Sequence, residues 1–142
     1  MSKVFYDKPI IDQIFEEFRK KKDDHDIEKI TNLVERLPPE DVNIQDDNGY
    51  NILMYTSRVG YTKIVKLLLD KRNIDINMQN IIGYTALIFA SCYGYTKIVK
   101  LLLEIEGIDI DIQSEYGNTA ITYALFSNYN EIAKLLEGHK FN

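Results

Sequence analysis

Three prolines and seven glycines among 142 residues are too few for a low-complexity, disordered or collagen-like chain. No stretch approaches the about 18 consecutive apolar residues of a membrane helix. The opening MSKVFYDKPI also lacks the apolar core of a secretory signal. A soluble chain of cytoplasmic or otherwise intracellular address is therefore expected. The one cysteine, Cys92, cannot form an internal disulfide, and a lone thiol fits a reducing compartment. Positive charge is in deficit as well: 17 Lys and Arg stand against 22 Asp and Glu, for a net charge of −5. That field repels phosphate backbones and anionic lipids, so neither a nucleic acid nor a membrane is expected as partner. The one basic cluster, Arg19-Lys20-Lys21-Lys22, runs straight into Asp23-Asp24 and reads as cations favoured by a helix C-terminus.

Catalytic grammar is missing too. There is no G-x-x-x-x-G-K-S/T, no G-x-G-x-x-G, no G-x-S-x-G and no C-x-x-C, so the phosphate cradles, nucleophile elbows and dithiol motifs that announce common chemistries are not written here. Cys92 needs a nearby base to act as a nucleophile, and the two histidines, His25 and His139, are expected at opposite ends of the molecule. Asp23-Asp24-His25-Asp26 carries ligand chemistry, but consecutive side chains converge poorly on one ion. Capping of a helix by Asp24 or Asp26 is the better reading. Asp109-x-Asp111 starts like a calcium loop, yet Ser114 stands where that loop requires glycine. The expectation is no enzyme, no cofactor, no metal and no small-molecule substrate.

What the chain does have is repetition. GYTKIVKLLL occupies residues 60–69 and again 94–103, and Gly49, Gly83 and Gly117 are 34 apart, as are Tyr61, Tyr95 and Tyr129. Each unit has a D-x-N/D-x-Q segment, a glycine and two short helical stretches. The first stretches are 51–58, 85–92 and 119–126, and the second are 62–71, 96–105 and 130–137. Ile64, Val65, Leu67 and Leu68 recur at helical spacing while Lys63 and Lys66 take the other side, the pattern of a helix with one apolar face. Leu67 and Leu101 are accordingly expected in the core. Gly60 and Gly94 fall between the helices, where a left-handed residue reverses the chain. Shifting by 34 once more lays Ile30, Leu33 and Val34 on Ile64, Leu67 and Leu68, which reveals a diverged first unit. Its long first helix opens near Pro9, with Ile10, Ile11, Ile14, Phe15 and Phe18 on one face; its second runs from about Ile27 to Leu37. The units are read as a capping repeat 1–39, repeats 40–73 and 74–107, and a closing repeat 108–142. NYNEIAKLLE in the last unit, with Glu131 and Glu137, predicts a cap with a polar outer rim. The invariant Tyr61, Tyr95 and Tyr129 read as packing residues.

A period of 34 fits several helical repeats, but the interior of the unit separates them. Gly83-Tyr84-Thr85-Ala86-Leu87-Ile88-Phe89-Ala90 resembles the G-x-T-P-L-H-x-A signature of ankyrin repeats, and Gly94-Tyr95-Thr96-Lys97-Ile98-Val99-Lys100-Leu101-Leu102-Leu103 resembles the G-H-x-E-I-V-K-L-L-L that follows it in that family. The resemblance implies an all-α ankyrin repeat solenoid of stacked helix-turn-helix units joined by β-turn loops. Ile52, Ala86 and Ala120 replace the signature proline, and Met54, Ile88 and Thr122 the signature histidine; apolar packing should then carry more of the cohesion. The resemblance further implies a protein-protein interaction module that binds along a concave surface of loop tips and first-helix ends. In this sequence those positions are Asp47, Asn48, Tyr50, Arg58 and Val59; Ile81, Ile82, Tyr84 and Tyr93, with Cys92 beside them; and Glu115, Tyr116, Asn118, Phe126 and Ser127. An apolar centre flanked by Asp46-Asp47 and Glu115 suits a partner whose hydrophobic patch is rimmed by positive charge. The expectation is a monomer that holds one protein of unknown identity. An inhibitor or host-directed effector masking an enzyme or signalling protein is the second reading, and an enzyme or a regulatory fragment of one is the third. The Ile, Lys, Asn and Tyr-rich vocabulary is that of AT-rich genomes, and an intracellular pathogen as source would add delivery into a host cell.

Overall fold

The computed structural model describes residues 8–140; residues 1–7, part of the stretch read for a leader, lie outside them. Eight α-helices follow one another and no strand occurs among the described residues: α1 (Ile10–Arg19), α2 (Ile27–Arg36), α3 (Ile52–Val59), α4 (Thr62–Leu69), α5 (Ala86–Tyr93), α6 (Thr96–Leu103), α7 (Ala120–Phe126) and α8 (Asn130–His139). They pair as four antiparallel hairpins. The first helices of successive hairpins pack side by side, α1 on α3, α3 on α5 and α5 on α7, and the second helices do the same in an outer row.

Local sequence explains the boundaries. Asn51 and Thr85 sit just before α3 and α5, and their side-chain oxygens accept the main-chain N–H of Met54 at 2.9 Å and of Ile88 at 3.1 Å. Asp26 caps α2 in the same way, accepting from Lys29 N at 2.9 Å. Such caps satisfy N–H groups that the first helical turn leaves unpaired. Gly60 (φ 85°) and Gly94 (φ 78°) end α3 and α5 in the left-handed region. A side chain there meets a second obstacle: a Cβ on Gly94 would lie 2.6 Å from the Tyr129 ring, and one on Gly60 would overlap Tyr95. The repeated tyrosines thus pack each unit onto the hinge of the unit before it, as their constancy predicts. Tyr61, the first of them, instead meets His25, with Oη 2.7 Å from Nδ1. The outer helices α4 and α6 stop at Leu69 and Leu103, two residues short of the sequence expectation, because the chain turns through 3₁₀-like hydrogen bonds from Lys71 to Leu68 and from Ile105 to Leu102.

The core is continuous through all four hairpins and is built from Ile14, Ile30, Leu53, Ile64, Leu68, Leu87, Ile98, Leu102 and Leu136, among others. Burying each such side chain contributes about 1.5–3 kcal/mol. Leu67 and Leu101 are a correction: they are only half-buried at the flank of the outer row, whereas Leu68 and Leu102 are fully enclosed. The residues Ala86 to Ser91 of α5 are all buried because α3 and α7 cover both its sides. In α7 only Ala120 and Ala124 are buried. Glu131 and Glu137 are exposed in the last hairpin as expected of a polar rim. Leu125, Phe126 and Tyr129 are exposed beside them, however, so the end of the stack is not uniformly polar.

A rigid row of turns and aromatic rings

Before each first helix of the last three hairpins the chain makes a four-residue turn at 46–49, 80–83 and 114–117, closed by a hydrogen bond from its glycine N–H to the first residue's carbonyl at 2.9 Å in every case. The first residue braces the turn from within. Asp46 Oδ1 accepts from Asn48 N and Tyr50 N, both at 3.0 Å; Asn80 Oδ1 accepts from Ile82 N at 3.2 Å and Tyr84 N at 2.9 Å; and Ser114 Oγ accepts from Tyr116 N at 3.3 Å. Asp, Asn and Ser favour such turns because their short side chains reach their own backbone. Neighbouring turns are then stitched together. Ile81 N donates to Asn48 O at 3.1 Å and Glu115 N to Ile82 O at 2.9 Å. Gln45 Nε2 donates to Gln79 O at 3.0 Å, and Gln79 Nε2 to Gln113 O at 3.1 Å. Below them Asn77 Nδ2 donates to Gly107 O at 2.9 Å while its Oδ1 accepts from Asp109 N at 2.9 Å. Side-chain hydrogen bonds from glutamine and asparagine therefore join the units, alongside the apolar packing.

Behind the turn tips runs a row of aromatic rings. Tyr55, Phe89 and Tyr123 occupy the same place on α3, α5 and α7, 34 residues apart, and Tyr50 and Tyr84 fill the gaps between them. Ring centroids lie 5.0 Å apart for Phe18 and Tyr55, 4.7 Å for Tyr55 and Tyr50, 5.4 Å for Tyr50 and Phe89, 5.2 Å for Phe89 and Tyr84, and 5.2 Å for Tyr84 and Tyr123. Phe126 closes the row edge-on to Tyr123 at 6.5 Å. Such separations suit offset and edge-to-face contacts. The hydroxyls of the flanking units anchor the row to the turns: Tyr55 donates to Asp46, and Tyr123 Oη lies 2.8 Å from Ser114 Oγ. In the middle unit Phe89 has no hydroxyl, and Asn80 Nδ2 is buried without a partner. Burial, then the hydrogen bond to Asp46, pushes the Tyr55 hydroxyl well above the usual phenol range; burial, with Tyr123 beside it, does the same for Tyr84. Both rings stay neutral donors at any physiological pH.

All fourteen residues proposed from the sequence as partner contacts reach solvent to different extents, as does Cys92 beside them. At the tips Asp47, Asn48, Ile81, Glu115 and Tyr116 are exposed, Ile81 at 67% and Tyr116 at 65%. Ile82, Val59 and Asn118 are half-buried, and Tyr50 and Tyr84 are members of the aromatic row. Tyr93 and Phe126 project from the ends of α5 and α7, and Arg58 lies over the Tyr50 ring, its Cζ 5.9 Å from the centroid. The isoleucine pair at the middle tip therefore splits, Ile81 exposed and Ile82 half-buried. Asp46 does not act as a free acidic flank as the sequence suggested: the turn and Tyr55 consume its oxygens. The basic cluster also differs from expectation. Arg19 alone lies in the last turn of α1, Lys20 pairs with the buried Glu17 at 2.9 Å, and Lys22 Nζ reaches 3.5 Å from the Tyr95 hydroxyl, 73 residues away. Sequence reasoning missed Tyr55, Phe89 and Tyr123, although their spacing marks them; nothing in the sequence could have placed Lys22, Phe18 and His25 beside them.

Cys92 is half-buried, and burial pushes its thiol up to about 11, so it remains protonated near neutrality. His25 and His139 belong to the first and last hairpins. Among the described residues no group of three or more His, Cys, Asp and Glu side chains is arranged to hold a metal ion, and no helix is long and apolar enough to cross a membrane.

The family model for ankyrin repeats in three copies matches residues 24–114 and 83–142, together most of the chain. The chain belongs to the ankyrin repeat family. Ankyrin repeats are generally protein-protein interaction modules, and ankyrin repeat proteins are typically non-catalytic. No curated protein matches the chain. Against the ankyrin signature, the residues replacing proline and histidine are absorbed into the core: Ile52, Met54, Ala86, Ile88 and Ala120 are all buried, while Thr122 pairs with Thr119 across 3.2 Å.

Proposed function

We propose that this ankyrin repeat chain binds a protein partner across the face formed by its turn tips and the aromatic row, without catalysis or cofactor. The observation that carries this reading is the unbroken series of rings from Phe18 to Phe126, fronted by the exposed Ile81, Tyr116 and Tyr93. Phe18 and Phe89 are buried within the row, so the contact area comes from the exposed Tyr93, Tyr116 and Phe126. Aromatic side chains supply such area at low rotamer cost and dominate the energetics of many interfaces. The turns behind them are already braced and stitched, so little conformational entropy is lost on association. Asp47 and Glu115, exposed at the two outer tips, supply a polar rim that favours a partner with complementary positive charge.

The test is affinity capture with the parent chain and with an Ile81→Ser, Tyr116→Ser double variant, each checked by thermal melting. Both side chains are exposed, so the melting temperature should stay within about 2 °C of the parent while partners captured by the parent are lost. Unchanged capture by the folded variant overturns the assignment of the tips.

A further inference from the structure

Where the α1–α2 connection lies across the inner helices, the aromatic row opens into a pocket of about 340 Å³ walled by Phe18, Tyr55, Tyr93 and Tyr95. The chain as a whole is acidic, at −5. Even so, apart from His25, the charged side chains lining this pocket are Lys20, Lys22 and Arg58, all cations. Lys20 is paired with Glu17. Lys22 and Arg58 have no carboxylate within 4.0 Å among the described residues. Aromatic groups hold them instead: Lys22 Nζ stands 6.0 Å from the centroid of Tyr95, and Arg58 rests on Tyr50. An exposed cation held on a ring keeps its charge available and loses less side-chain freedom when it meets an anion.

The surroundings reinforce this. His25 is fixed by two hydrogen bonds, from Nε2 to the Lys20 carbonyl at 3.1 Å and between Nδ1 and the Tyr61 hydroxyl at 2.7 Å. Its ring meets Phe18 edge-on at 5.3 Å. The α1–α2 connection is thereby pinned over α3, which is what brings Lys22 across to the third hairpin. Two carboxylates on the elements around the pocket are engaged: Glu17 accepts from Asp26 N at 2.8 Å as well as from Lys20, and Asp46 is held by its turn and Tyr55. Asp23 and Asp24 are exposed on the connection itself.

We infer that this pocket receives a carboxylate-bearing segment of the protein partner, with an acidic side chain between Lys22 and Arg58 and an adjacent apolar or aromatic residue against Tyr93 and Tyr95. This rests on the protein-binding reading above and names the chemistry of one part of that partner. It reverses the charge expected from the sequence: at this end the partner is acidic.

The experiment measures binding of a fluorescently labelled peptide of alternating glutamate and phenylalanine by polarisation. The parent chain is compared with Lys22→Gln, Arg58→Gln and the double variant, all checked by melting temperature. A lysine-phenylalanine peptide and a phosphotyrosine peptide serve as further probes. The expected result is binding of the glutamate peptide that weakens with added salt, falls about tenfold or more in the double variant, and is not matched by the lysine peptide. No binding of the glutamate peptide, equal binding by the folded double variant, or binding of the phosphotyrosine peptide alone each overturns the proposal. The two readings separate cleanly. If the Ile81→Ser, Tyr116→Ser variant loses its captured partner while Lys22→Gln, Arg58→Gln retains it, the binding face stands and the acidic pocket falls.

Discussion

Phe89 occupies the position that Tyr55 and Tyr123 occupy in the adjoining units, and the hydroxyl it lacks is the one that would meet the buried, unpartnered Nδ2 of Asn80. An orphaned buried donor costs about 1–3 kcal/mol. Phe89→Tyr is therefore expected to stabilise the protein, by about 0.5–1.5 kcal/mol, read as a higher midpoint in urea unfolding with an unchanged slope. A lower midpoint would mean that the hydroxyl has no room beside Asn80. Glu17 is a second residue whose environment decides its behaviour. Burial pulls its pKa up, but hydrogen bonds from Asp26 N and Lys20, together with the charges of Lys20 and Lys29, outweigh that and hold it below its ordinary 4.5. A carboxylate lowered in the folded state stabilises the fold above its unfolded pKa, and that contribution disappears as pH falls through the folded value. Melting temperature should drop below about pH 4.5 in the parent, and more shallowly in Glu17→Gln. Parallel acid limbs in the two proteins would contradict the linkage.

At the scale of elements, the helices were legible and their rotation was less so. Ile64, Val65, Leu67 and Leu68 sit at spacings that any amphipathic helix could present inward, and the stack buries Ile64, Val65 and Leu68 while leaving Leu67 half-open. Leu68→Ala should cost about 2–5 kcal/mol through the cavity it leaves, and Leu67→Ala clearly less. Equal losses in chemical denaturation would show that the register of α4 is wrong. The left-handed Gly60 and Gly94 and a cap at Asp24 or Asp26 are read from the sequence, because each depends on residues no more than about four positions away. Asn51 and Thr85, by contrast, read as the first residues of their helices, and the structure makes them the caps. Which tip isoleucine faces water could not. Ile81 N donates to Asn48 O in the preceding unit, and in the turn so held Ile81 is exposed while Ile82 is half-buried.

Over the described residues, the main helix contacts run between adjoining hairpins, and Lys22 of the first hairpin also reaches Tyr95 of the third. Stability in such a stack is close to a sum of units and interfaces, so the ends open first. Amide hydrogen exchange should be slowest in α5, which is covered on both sides, and faster in α7 and α8, where Leu125 and Phe126 face solvent. Slower exchange in α7 than in α5 would point to a further interface over that end.

The sequence by itself determined the period, the four hairpins, the family, the turn residues and the constancy of Tyr61, Tyr95 and Tyr129, because all of these follow from local hydrogen bonding or from plain repetition. Only the tertiary structure decided which rings join into one row, that Asp46 is consumed and that Lys22 and Arg58 are placed over the rings of Tyr95 and Tyr50. Those properties depend on how one unit is set against the next. The contact energies that govern that placement come from residues 30 to 70 or so positions apart, which no local pattern in the chain encodes.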